Sequence, residues 1–216
     1  MMPQKPTYYQ PALLISFLCF VLFCIIALGV QSNADWINWV DQLIANPIVA
    51  SATQNKTSFF IFITRLGGVP VMSTAVVLFS SFLIWQSKNK RLAIWYISQS
   101  ILGAGALNIL VKVLFQRERP TIEHLVIQGG FSFPSGHSMG SLISYGGIAF
   151  LIFYLYKKST LSIGVLVIAI LLILLIGLSR IYLGVHFPSD VIGGYLLGTS
   201  WLTLLIALFP KLIKQN

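Results

Sequence analysis

Apolar positions run through this chain in long blocks rather than alternating with polar ones. Six blocks stand out: Ala12 to Val30, about Val69 to Trp85, Leu92 to Phe115, Ser138 to Tyr156, Leu161 to Leu178 and Val191 to Phe209. Each approaches the ~20 residues a helix needs to cross a bilayer. No period-2 alternation points to a membrane barrel, and no linker or internal repeat divides the chain. The pattern predicts an all-α, polytopic membrane protein with about six transmembrane helices bundled in one domain over residues 1–216. Between the first two blocks, Asp35 to Asn46 sets Trp36, Trp39, Val40, Leu43 and Ile44 near a helical period. Tryptophans suit the headgroup region, so this segment reads as a short interfacial helix shaping an entrance, or as a loop that only anchors. The first block follows Lys5 and precedes small residues, as in a signal peptide. Its apolar part exceeds the ~7–15 residues typical of such a region and shows no clear cleavage site, so a retained span is expected. Cys19 and Cys24 lie inside it, where a thiol acts as a small apolar group.

Composition supports the membrane reading, with 56% hydrophobic and 9% charged residues against about 25% charged in soluble domains. A net charge of +9 would suggest nucleic acid in a soluble protein; here the division of charge across the membrane is the better guide. With the N-terminus inside, Lys5, Lys88, Lys90, Arg91, Lys157, Lys158, Lys211 and Lys214 fall on the cytoplasmic side, as the positive-inside rule asks. The other side takes all five acids, Asp35, Asp41, Glu118, Glu123 and Asp190, and all three histidines, His124, His137 and His186. Cytoplasmic termini, an extracytoplasmic site and no nucleic-acid partner are the expectations.

Three stretches on that face carry chemistry. The third block ends LVKVLFQRERP, where Lys112 and Arg119 share nearly one helix face about two turns apart. Pro120 disfavours helical geometry at Arg119 and should release it into a loop. The plain alternative has Lys112 snorkelling and Arg117 and Arg119 meeting headgroups. In GGFSFPSGHSMG, Pro134 suits the first turn of a helix. The Ser135 and Gly136 amides would then be unsatisfied donors at its positive end, an anion site beside His137. In GLSRIYLGVHFPSDVIGG, Arg180 offers a planar fork to a phosphate. Pro188 suits the start of the last helix, and Asp190, four residues after His186, can fix the imidazole tautomer. As plain alternatives, Asp190 favours a helix N-terminus and His186 and His124 are surface polar residues. Three cations, an anion-ready helix start, two histidines and an acid on one face are costly to assemble without a use, and the set matches phosphoryl transfer to histidine.

These residues resemble a known family. Lys112 with Arg119-Pro120 matches Lys-x6-Arg-Pro, Pro134 to His137 matches Pro-Ser-Gly-His, and Ser179-Arg180 with His186 and Asp190 matches Ser-Arg-x5-His-x3-Asp. They are the three motifs of the type 2 phosphatidic acid phosphatase superfamily, which also includes the vanadium haloperoxidases; all are complete, in order, and span 112–190. The resemblance implies a six-span lipid phosphatase in which His186 attacks phosphorus and Asp190 orients it. It implies His137 as acid to the leaving oxygen, and Lys112, Arg119, Arg180 and the Ser135 and Gly136 region as holders of the phosphoryl oxygens. No metal or other cofactor is expected, since the cations supply the charge a metal would.

Bacterial relatives that recycle the undecaprenyl carrier or make phosphatidylglycerol look most similar. Undecaprenyl pyrophosphate is the first expected substrate, with phosphatidylglycerophosphate or phosphatidic acid as alternatives. A noncatalytic lipid-phosphate binder or transporter is the rival class, though no charge lies mid-span and no inverted repeat is evident. The Gly103-Ala104-Gly105-Ala106 run reads as a close-packing segment. Gly129-Gly130 would permit motion of the loop Thr121 to Gly130, or simply make its turn.

Overall fold

The structure is a computed structural model that describes residues 9–213, without the side chains of 211 and 212. Lys5 and Lys214, and the side chain of Lys211, lie outside the described residues. The helices are α1 (Tyr9–Gln31), α2 (Asp35–Ala50), α3 (Gln54–Leu66), α4 (Val69–Ser87), α5 (Lys90–Ser100), α6 (Asn108–Phe115), α7 (Gly136–Tyr156), α8 (Thr160–Tyr182) and α9 (Pro188–Ile213). A π-helical segment, Ile101–Leu107, joins α5 to α6 so that Lys90–Phe115 makes one span. Among the described residues there is no strand, and six helices are long and apolar enough to cross a membrane.

Their outer faces suit lipid: α8 exposes Leu166, Val167, Ile170, Leu171 and Leu174, and α1 exposes Leu14, Phe17, Leu18 and Leu28. Inside, α9 is the axis, packed by α1 and α7, while α7 also packs on α8. One core cluster gathers Phe23, Ala27, Ile37, Val111, Phe133, Met139, Ile143 and Leu197 beneath the end of the bundle that holds the motifs. A second, around Leu83, Trp95, Tyr96, Leu151 and Phe209, fills the opposite end.

Four local expectations change. The interfacial helix α2 forms but continues to Ala50, through Pro47. A second helix, α3, follows it and packs on α8. The third span stops at Phe115, with Gln116 in the left-handed region at φ 44°, four residues before Pro120; Arg117 and Arg119 both belong to the loop. Pro134 precedes the first turn of α7, following a cis peptide bond, and Ser135 is the N-cap.

The π-helical segment has a packing origin. Gly103 lets the Trp201 ring and Ile143 reach the backbone, for a Cβ there would collide with Trp201 Nε1 and lie 2.8 Å from Ile143 Cδ1. The Trp201 indole then donates to the Gln99 carbonyl (3.0 Å), supplying a partner where the α-helical ladder is interrupted. Close packing holds for Gly103 but not for Gly105, which faces open space. The outer half of the span is thereby turned so that Asn108 and Val111 face inward.

Candidate active site

The site lies where the ends of α6, α7, α8 and α9 meet, and packing of the intervening loop brings it together. Phe133 is fully buried, stacked on Phe23 (5.7 Å between centroids) and edge-on to Phe115 (5.2 Å). Gly193 makes room for it, since a Cβ there would lie 2.6 Å from the ring. That anchor fixes the neighbouring Ser132, whose amide donates to the Arg117 carbonyl (2.8 Å).

His186 and Asp190 stand together, as their spacing suggests. His186 is 3% exposed and Asp190 0%. His186 Nδ1 lies 3.3 Å from Asp190 Oδ2 and 3.2 Å from Ser132 Oγ. Ser132 Oγ donates to Asp190 Oδ2 (2.5 Å), and the Phe187 amide does so at 2.9 Å. The tautomer follows from the other ring nitrogen. Nε2 lies 3.2 Å from Arg119 Nη1; a guanidinium only donates, so Nε2 must accept and the proton sits on Nδ1, toward the carboxylate. The ring therefore aims a lone pair at the side where Arg119 sits. Burial pushes the His186 pKa down from its ordinary value; Arg180 and Arg119 push the same way, and Asp190 opposes them. The result is a neutral imidazole near pH 7.

Arg119 touches this ring and Arg180 acts on it electrostatically, and both, with Lys112, are engaged by the loop. Lys112 Nζ donates to the carbonyls of Phe131 (2.5 Å) and Ser132 (3.2 Å). Arg119 donates to the carbonyls of Gly129, Gly130, Phe131 and Val185. Arg180, 1% exposed, donates to Thr64 Oγ1 of α3 (2.6 Å) and to Gln128 Oε1, while its Nε has no partner among the described residues. Each of the three thus has protein partners.

His137 sits in the first turn of α7, and its ring interacts electrostatically with Arg180, His186, Arg119 and Lys112. Gly67 leaves room for it: a Cβ there would lie 3.3 Å from His137 Cδ2. The Ser135 amide is not an open donor as expected; it donates to the Asp190 carbonyl (3.0 Å), tying the start of α7 to α9. The Ser135 hydroxyl caps the helix, accepting from the Ser138 amide and hydroxyl. The Gly136 and His137 amides are left as the first-turn donors. His124 behaves as an ordinary polar residue, bonded to the Pro120 carbonyl (2.8 Å).

Sequence reasoning missed a second buried group. Arg117 points inward, donating to Asp190 Oδ1 and Ser189 Oγ from Nη1 and to Asp41 Oδ2 from Nη2, each at 2.7 Å. Asp41, 3% exposed, also accepts from the Ser189 amide (2.7 Å) and hydroxyl (2.8 Å). A cavity of about 870 Å³ opens beside this group, with His186, Arg119 and Phe187 among its lining residues. Its lining also includes the amide residues Gln31, Asn33, Asn38, Gln42, Asn46 and Gln116, the acids Asp41 and Glu118, and apolar Val30, Ala45 and Val49.

Residues 93–214 match the PAP2 superfamily. The chain is 34% identical over 200 residues to phosphatidylglycerophosphatase B of Bacillus subtilis, covering 91% of this chain and 95% of that protein. It is 27% identical to an undecaprenyl-diphosphatase of Sulfolobus acidocaldarius, over 92% of this chain and 89% of the relative. The crystal structure of a transmembrane PAP2 type phosphatidylglycerolphosphate phosphatase from Bacillus subtilis superposes with a TM-score of 0.85 at 29% identity, covering 93% of this chain and 98% of the other. With the family pattern running from α5 into α9 and the fold shared over nearly its whole length, the chain belongs to the PAP2 superfamily and is a multi-pass membrane lipid phosphatase.

Proposed function

We propose that the protein hydrolyses a lipid phosphomonoester at the extracytoplasmic face through a phosphohistidine, with phosphatidylglycerophosphate as its best-supported substrate. The Nε2 lone pair of His186 attacks phosphorus while the bond to the leaving oxygen breaks, and His137 gives that oxygen a proton. Asp190, holding Nδ1–H, stabilises the positive charge that the ring acquires. Lys112, Arg119, Arg180 and the Gly136 amide hold the phosphoryl oxygens, and Ser135 contributes by shaping the helix start. A water, deprotonated by His137, then attacks the phosphoryl group, the P–N bond breaks and inorganic phosphate leaves.

The observation that carries the choice of lipid is the amide-rich cavity beside His186. Side-chain amides both donate and accept, which suits the hydroxyl-bearing glycerol that separates the two phosphates of phosphatidylglycerophosphate. In undecaprenyl pyrophosphate, the first expectation from sequence, the second phosphate is bonded directly to the first and would enter the cavity itself. Beyond Arg119, the cation on its described walls is Arg117, already committed to two carboxylates. The likeness to phosphatidylglycerophosphatase B supports the same preference; the likeness to an undecaprenyl-diphosphatase keeps the pyrophosphate as the second reading.

The test is phosphate release by the purified protein with EDTA from both lipids in parallel, with His186→Ala as the blank. The expected result is faster release from phosphatidylglycerophosphate and loss of at least about a thousandfold in the variant. Faster release from the pyrophosphate would reverse the substrate choice. Turnover surviving in His186→Ala would sink the histidine mechanism, and lipid binding without turnover in the wild type would favour the noncatalytic rival.

A further inference from the structure

Of the buried group that joins Asp41 and Arg117 to Asp190, Asp41 lies outside the three motifs and Arg117 at an unspecified position within the first, and the mechanism above uses neither. We propose that Asp41 and Arg117 are positioning residues through which helix α2 controls Asp190 and hence His186, an inference that rests on the phosphohistidine reading. Each oxygen of the Asp190 carboxylate has its own duty. Oδ2 receives His186 Nδ1, Ser132 and the Phe187 amide, while Oδ1 receives Arg117. Arg117 thus fixes the rotation of the carboxylate about its bond, and so the angle at which Oδ2 meets the imidazole.

Arg117 is in turn held from three directions. Asp41 takes its second nitrogen, Ser189 Oγ shares the first, and the Phe187 ring lies 4.1 Å from the guanidinium carbon. Burying three charges is expensive unless each is paired and hydrogen-bonded. Here the two carboxylates carry six distinct donor contacts beyond the imidazole: Arg117 to each acid, Ser132 and the Phe187 amide to Asp190, and the Ser189 amide and hydroxyl to Asp41. That satisfaction identifies a built group rather than a chance ion pair.

Charge balance gives the pair a second effect. Asp190 and Arg117 alone would be neutral, and Arg117 would draw on the same negative charge that must stabilise the phosphoryl-imidazolium. Asp41 restores one net negative charge to the cluster. When His186 becomes positive, the cluster balances it within a buried, weakly screened environment. Without Asp41 the folded site keeps its phosphate-holding cations, so the loss falls on the chemical step rather than on substrate binding.

The experiment uses a short-chain, water-dispersed lipid phosphate, with Asp41→Asn, Arg117→Lys and Arg117→Gln made singly and Asp41→Asn also combined with Arg117→Gln. The expected result is a fall in kcat of about tenfold or more for Asp41→Asn, with KM and the inhibition constant of inorganic phosphate changed by less than about twofold. Arg117→Lys, which keeps the charge but not the fork, falls comparably. Asp41→Asn adds less than about twofold on the Arg117→Gln background, because one residue acts through the other. Wild-type kcat in Asp41→Asn, a loss confined to KM, or independent effects in the double variant would overturn the proposal. If Asp41→Asn does not fold, Arg117→Lys decides the matter by the same split: a fall in kcat at constant KM supports the proposal, and a fall confined to KM overturns it. A wild type inert toward every lipid phosphate would instead remove the phosphohistidine reading itself, so the two failures are distinguishable.

Discussion

At the scale of single residues, His186 shows how burial alters what composition alone suggests. Two histidines with ordinary pKa values near ~6.5 would give a bell-shaped rate profile centred between mildly acidic and neutral pH. Burial lowers the His186 value, Arg180 and Arg119 add to the effect, and Asp190 only partly offsets them. A lowered pKa means that the neutral, attacking form survives as the pH falls. The rate of His186 phosphorylation, corrected for titration of the substrate's own phosphate, should therefore not fall between pH ~7 and ~5.5. An acid limb with a midpoint near pH ~6.5 would contradict this. The motif residues were legible because their spacings lie within short stretches. Ser132, Asp41 and Arg117 were not: their partnerships with Asp190 and with one another span 58, 73 and 76 residues, and nothing in a serine, an interfacial aspartate or a loop arginine announces a partner so far away.

Among elements, the six spans could be read from hydropathy because the bilayer sets their length. Helix α3 escaped that reading: only 13 residues long and carrying Lys56 and Arg65, it forms where α8 covers its apolar face. The start of α7 was only half legible. Pro134 and Ser135 announce a helix N-terminus, but not that the Ser135 amide docks on the Asp190 carbonyl. Gly194 permits this approach, since a Cβ there would lie 2.8 Å from the Ser135 carbonyl oxygen, a backbone atom that has little freedom to yield. Gly194→Val should cost about 1–3 kcal/mol in stability by overpacking and lower kcat by shifting His137 away from His186. Gly164→Ala is the matched control, because no atom lies within 4 Å of the added methyl. Thermal unfolding in detergent and turnover of both variants check the claim; equal behaviour would show that α7 and α9 tolerate separation.

At the scale of the whole molecule, the ends of the six spans assign every motif to one side of the membrane, and Lys88, Lys90, Lys157 and Lys158 to the other. The positive-inside rule then predicts that the motif side faces outward. In a background with Cys19→Ala and Cys24→Ala, an impermeant maleimide added to intact cells should label Glu123→Cys and spare Lys158→Cys; the reverse pattern would invert the protein in its membrane. The motif-bearing end also carries a consequence for turnover. Gln128 and the carbonyls of Gly129, Gly130 and Phe131 already occupy donors of Arg180, Arg119 and Lys112. An incoming phosphate thus displaces resident partners, and its affinity reflects a difference between two sets of bonds rather than the sum of one. Released phosphate faces the same competition in reverse: the loop reclaims the cations, the product leaves quickly, and the lipid, which has the amide-lined cavity as a further foothold, outcompetes it.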